Sequence, residues 1–170
     1  MADKLKALSI LGLGYLVAKQ CQGDKNYRKE AVPKYRTYNS GVYEITFEYP
    51  ESWRKNPNYR ERYEGETGFF EVADIEALGR DIDEVVRQEI ESPINPYGTE
   101  PRVEAFEIDG EPARLIIPSS DQAKVFEREA ALIIQNKKPV IEGQEVYNYT
   151  IIWSDLKNIE HIIKTLKFTD

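Results

Sequence analysis

The chain has 170 residues, of which 41% are hydrophobic and 31% charged, and a formal net charge of −7. That length builds one domain with a real core and leaves little room for two. The acidic balance argues against a phosphate-binding surface, which needs clustered Lys and Arg, so no nucleic acid partner is expected; a single cysteine, Cys21, excludes an intrachain disulfide.

At the amino end, Ala7 to Ala18 (ALSILGLGYLVA) is apolar and follows Lys4 and Lys6. It is shorter than the roughly 20 residues a membrane span needs. It suits the apolar region of a signal peptide, commonly about 7–15 residues. Cys21 after such a region resembles the lipid-attachment cysteine of bacterial lipoproteins, although Lys19 and Gln20 stand where that signal has small residues. Residues 1–21 therefore read as a signal or anchor-like segment, with a short helix of the fold as the alternative. Residues 22–40 are polar, contain Pro33 and the Asn39-Ser40-Gly41 turn signal, and read as a linker. The domain is expected over 41–170.

Tyr43 to Tyr49 alternates Tyr43, Ile45, Phe47 and Tyr49 with Glu44, Thr46 and Glu48, the pattern of a half-buried strand; Pro50 stops it and Trp53 follows. Arg54 to Gly65 reads as a polar loop, and Thr67 to Ile75 as a second strand. Asp81 to Glu91 is a predicted helix, with Asp81 and Glu84 as a capping box and Ile82, Val85, Val86 and Ile90 on one face. Ser92-Pro93 and Asn95-Pro96 end it. Val103–Ile108 and Ala113–Ile117 form a hairpin about Asp109-Gly110, a pair suited to a tight two-residue turn. Ser119 to Arg128 is a polar connection with room for one helical turn. Ala130–Gln135 and Val146–Trp153 are further strands. Ser154 or Asp155 caps a closing helix striped by Leu156, Ile159, Ile163 and Leu166, and Phe168 reads as a short last strand or an apolar plug. The order β, β, α, β, β, β, β, α predicts an α+β fold: an antiparallel sheet of about six strands flanked by two main helices.

YEITFEYPESW, Gly68-Phe69-Phe70, the helix opening DIDEVV, the hairpin before EPARLI and the closing IIKTLKF together resemble a known family. It comprises small secreted lipoproteins of Gram-positive bacteria whose domain is similar to PsbP photosystem subunits and Mog-type Ran-binding proteins. The resemblance covers roughly residues 38–169. It implies a PsbP-like α/β/α sandwich, an extracytoplasmic address and a binding or assembly role, with no catalytic residues to carry over.

The chain carries few residues of obvious chemistry. His161 is the only histidine and reads as a helix-surface residue. Neither a His-rich metal site nor a nucleophile elbow is present, so no metal, cofactor or catalytic residue is expected. Ser119-Ser120-Asp121 reads as a turn. Thirty carboxylates leave room for a carboxylate pair across a cleft. One constellation stands out. Arg114 sits inside an apolar strand, where burial demands a paired carboxylate. With Tyr63, Glu64, Asp121 and Gln122 it is expected to anchor an anionic or amide group of a ligand; the other reading is that Arg114 points to the wet sheet face or pairs with a neighbouring Glu. The expectation is an exported, membrane-tethered binding or assembly module of the cell envelope, with a protein or cell-wall component as partner. An envelope hydrolase using a carboxylate pair is the alternative.

Overall fold

A computed structural model describes Lys34–Thr169. The segment 1–21 with Cys21, and the linker through residue 33, lie outside the described residues. Ile45, Phe47 and Tyr49 of β2 (Ile45–Pro50) are buried, and Tyr43 and Trp53 beside the strand are buried with them. β2 is the middle of a small antiparallel sheet, between β1 (Tyr35–Ser40) and β10 (Lys167–Phe168). β1 corrects the linker reading at its carboxyl end. Only Tyr38 and Ser40 of that strand are buried, so its sequence carries almost no apolar signal.

The main sheet has seven antiparallel strands in the order β3-β4-β5-β9-β8-β7-β6. They are β3 (Arg54–Lys55), β4 (Arg62–Gly65), β5 (Gly68–Ile75), β6 (Arg102–Ile108), β7 (Glu111–Ile117), β8 (Glu129–Glu142) and β9 (Glu145–Asp155). β3 and β4 lie in the segment expected to be a loop. Their charged side chains stay partly solvated, so only the backbone ladder marks them as strands. β8 runs well past the predicted end at Gln135, across an irregularity between Gln135 and Val140. At the β6–β7 turn, Asp109 (φ 51°) and Gly110 (φ 87°) both hold positive φ, as a tight hairpin turn of this kind requires.

Helix α1 (Ile82–Ile90) starts with the expected capping box: the Glu84 N–H donates to Asp81 Oδ1 at 2.9 Å, and the Asp81 N–H to Glu84 Oε2 at 3.2 Å. Helix α2 (Leu156–Thr165) is capped by Asp155, which accepts from the N–H groups of Lys157 and Asn158. The period of two along each strand sends alternate residues to opposite cores. Ala130, Leu132 and Ile134 of β8 pack with β2, Ile159 and Ile162; Ala131 and Ile133 pack with Ile82, Val85 and Val86. The seven-stranded sheet therefore lies between α1 on one face and, on the other, α2 with the small sheet. The fold class is the expected one, α+β with an antiparallel sheet between two helices. The second sheet was not separable in the sequence, because the β2–β10 pairing joins strands far apart in the chain.

Candidate functional site

The five residues expected to share a ligand do not converge. Tyr63 on β4 faces the α2 side, where its ring stacks on Phe70 at 4.9 Å and 13°. Arg114 on β7 faces α1, and its Nε donates to Asp83 Oδ1 at 2.7 Å while Nη2 reaches Asp83 Oδ2 at 3.3 Å. This guanidinium holds the Asp83 carboxyl below its usual range. Arg114 thus ties β7 to α1 through an aspartate, not through a neighbouring Glu. β4 and β7 are four strand spacings apart, about 19 Å. Glu64 accepts from Arg62 Nε at 2.7 Å.

Asp121 and Gln122 have a different use. Asp121 accepts from the Thr99 hydroxyl at 2.6 Å and from the Ser119 hydroxyl; these bonds, Ser119 first, hold its carboxyl down at about 2. Buried Gln122 donates from Nε2 to the carbonyls of Pro96 and Glu129, each at 2.8 Å. Between them Gly98 holds φ +81°, and a Cβ there would lie 2.2 Å from Ser119 Oγ, so the two loops meet only at a glycine. Both loops form walls of a cleft that sequence reasoning missed.

That cleft lies on the α1 face. A depression of about 260 Å³ is lined by Glu71, Glu89, Ile94, Phe126, Glu129 and Trp153. A second, of about 680 Å³, shares Glu89, Ser92 and Trp153 and continues to Leu78 and Arg80. The sheet register sets Glu71, Trp153 and Ala131 in one row across β5, β9 and β8. Trp153 Nε1 donates to Tyr97 Oη at 3.0 Å and lies 3.2 Å from Glu89 Oε1; Tyr97 Oη donates to Glu89 Oε1 at 2.7 Å. Tyr97 is fully buried, and burial together with Glu89 raises its pKa. The indole is thereby fixed in place between the two depressions. Tyr97→Phe removes the bond to a partly buried carboxylate, and it is expected to cost about 1–2 kcal/mol in chemical denaturation.

The charges are uneven. Glu71 accepts from Arg62 Nη1 at 3.2 Å, and the Arg62 guanidinium lies 4.1 Å from the centroid of Phe69. Burial pushes the Glu129 carboxyl up to about 7; Arg62 pulls it down, while Glu89 and Glu71 push it up further. No group of three or more His, Cys, Asp or Glu among the described residues has a metal-binding arrangement. A strand glutamate between apolar neighbours (Glu71) and a glutamate just before a fully buried run (Glu129) were the readable signals for this site. Each looks ordinary until the register joins them.

Elsewhere, His161 stacks on Tyr35 at 3.9 Å, and its Nε2 lies 3.3 Å from Glu48 Oε2 without hydrogen-bond alignment. An apolar groove of about 440 Å³ runs between α2 and β6–β7, past Phe106, Ile117, Leu156 and Ile163. Charges on its rim pair with each other: Arg102 with Glu104 and Lys164 with Glu160. No helix among the described residues is long and apolar enough to cross a membrane.

No family model matches the chain, and no curated protein matches it. Among solved structures, the cyanobacterial PsbP (CyanoP) of Synechocystis sp. PCC 6803 is similar over 82% of this chain and 95% of its own, at 12% identity and a TM-score of 0.42. The Ran-binding protein Mog1p of Saccharomyces cerevisiae is similar over 82% of this chain and 97% of its own, at 13% identity and a TM-score of 0.42.

Proposed function

We propose that this is a binding or assembly module of the cell envelope, exported and tethered at its amino end, which receives a protein partner at the Trp153 cleft. One observation carries the binding reading. A partly buried tryptophan is locked by Tyr97 and Glu89 between two open depressions, with Leu78 and Ile94 exposed beside it. Rigid aromatic anchors of this kind dominate protein interfaces, since little side-chain freedom remains to be lost on binding. The tether rests on the apolar stretch Ala7–Ala18 after two lysines, and on Cys21.

The alternative, hydrolysis by a carboxylate pair, draws on Glu129, held near neutrality among other carboxylates as a general acid would be. Its candidate partners are already occupied: Glu71 by Arg62, and Glu89 by Tyr97 and Trp153. Binding is therefore the reading we adopt. Intact-mass measurement on the native chain, after separation of membrane and soluble fractions, tests the address. The expected result is loss of the residues before Cys21 and an added lipid mass on it. A full-length, unmodified chain in the soluble fraction would overturn the tether.

A further inference from the structure

We infer that the Trp153 cleft takes a cationic segment of a partner protein, in which Lys or Arg side chains are interleaved with apolar ones. This rests on the binding reading above and adds the chemistry of the partner. Five glutamates, Glu71, Glu76, Glu89, Glu91 and Glu129, line the two depressions, against one arginine. That arginine, Arg80, is committed to its own chain: Nε donates to the Ala77 carbonyl at 2.9 Å and Nη2 to the Glu76 carbonyl at 3.0 Å. Among the described residues, Glu76, Glu89, Glu91 and Glu129 make no ion pair. A cation placed there meets Glu76, Glu91 and Glu129, which hold no ion pair, and the indole of Trp153, while Glu89 stays engaged by Tyr97 and Trp153; carboxylates with an aromatic face recognise ammonium and guanidinium groups.

The apolar half of the match is equally visible. Leu78 is 71% exposed and Ile94 68%, one along each depression, and Val125, next to Phe126, is 80% exposed. Leu78 and Ile94 line the two depressions and so put apolar surface on either side of Trp153. Their spread on both sides of Trp153 suits an extended segment better than a single small cation. The α2 groove is the weaker site, because its rim charges are already neutralised. Opposite potentials across such a surface set the choice of partner and its salt dependence.

The test is an amide chemical-shift titration of the full chain with three synthetic peptides. One alternates Lys with Leu, one replaces each Lys by Glu, and one replaces each Lys by Ser. The Lys peptide is expected to shift the amides of Glu89, Ile94 and Glu129 and the Trp153 indole N–H. Its affinity should fall with added salt, and by about tenfold or more in Glu71→Gln/Glu129→Gln. If that pair of changes fails to fold, the rim pair Glu76→Gln/Glu91→Gln is expected to give a smaller loss in the same direction. Equal binding of the Ser peptide at the cleft, undiminished Lys-peptide binding in the variants, or the same shifts from spermidine would overturn the cationic segment and leave the binding reading standing. Shifts confined to the α2 groove, or none with any peptide, would overturn both.

Discussion

Phe70→Ala is expected to lower the unfolding free energy by about 3–5 kcal/mol, read as a fall in urea midpoint at unchanged slope. Phe70 is fully buried on β5 and meets aromatic rings from both sheets. Its ring centroid lies 4.9 Å from Phe47, 5.3 Å from Tyr49 and 5.2 Å from Tyr38, all near edge-on, and 4.9 Å from Tyr63, stacked. Each such pair adds roughly 0.5–1.5 kcal/mol beyond area burial. The cavity term is also large here. The neighbours stand on β1, β2 and β4, and they can fill the gap only if the two sheets move together. A loss below about 2 kcal/mol would mean that the sheets do close, and that Phe70 does not hold their spacing.

Glu129→Gln is expected to stabilise the protein above neutral pH and to leave it unchanged in acid. The Glu129 carboxyl ordinarily titrates at 4.5 and is raised to about 7 in the fold. Between those values the native state holds a proton that the unfolded chain has released. Stability therefore falls as pH rises through that window, and it stays reduced above about 7. Each pH unit is worth about 1.4 kcal/mol for a fully buried group. Glu129 keeps some solvent, so the expected gain for Gln is about 1–2 kcal/mol. Arg62, Glu71 and Glu89 act on it from β4, β5 and α1, and only Arg62 favours the charge. Thermal melts of both proteins across this range check the sign. A destabilised Gln variant above neutrality would show that Arg62 satisfies the carboxylate. A stabilised one would show that the native residue is retained against the interest of the fold, as binding residues are.

Much of the frame was legible from local signals. The capping pair Asp81 and Glu84, the stripe through Ile82, Val85, Val86 and Ile90, and the Asp109-Gly110 turn each operate within a few residues, and each stands where the pattern placed it. β1, β3 and β4 were not legible, because each contributes at most one or two aromatic side chains to the core (Tyr38, Tyr63) among polar neighbours, and their ladders with other strands supply the rest. The site was harder still. Arg114 was rightly singled out as needing an acid, but that acid, Asp83, lies 31 residues earlier, on α1. Tyr97, between Pro96 and Gly98, has the neighbours of an exposed turn and is fully buried. Glu71, Glu89, Glu129 and Trp153 come from four elements: the β5–β9–β8 register joins the three sheet residues, and the packing of α1 on that face brings Glu89 to them.

The alternation along β8 divides the molecule's susceptibility to change. Leu132 and Ile134 answer to the α2 side, Ala131 and Ile133 to the α1 side, and the two sets share a backbone but no packing partners. Substitutions on opposite faces should then combine additively. A lineage carrying this fold could rework the loops around Trp153, and with them the choice of partner, without reopening the aromatic core beneath α2. Selection for a new attachment and selection for a durable domain would act on separate sides of one sheet.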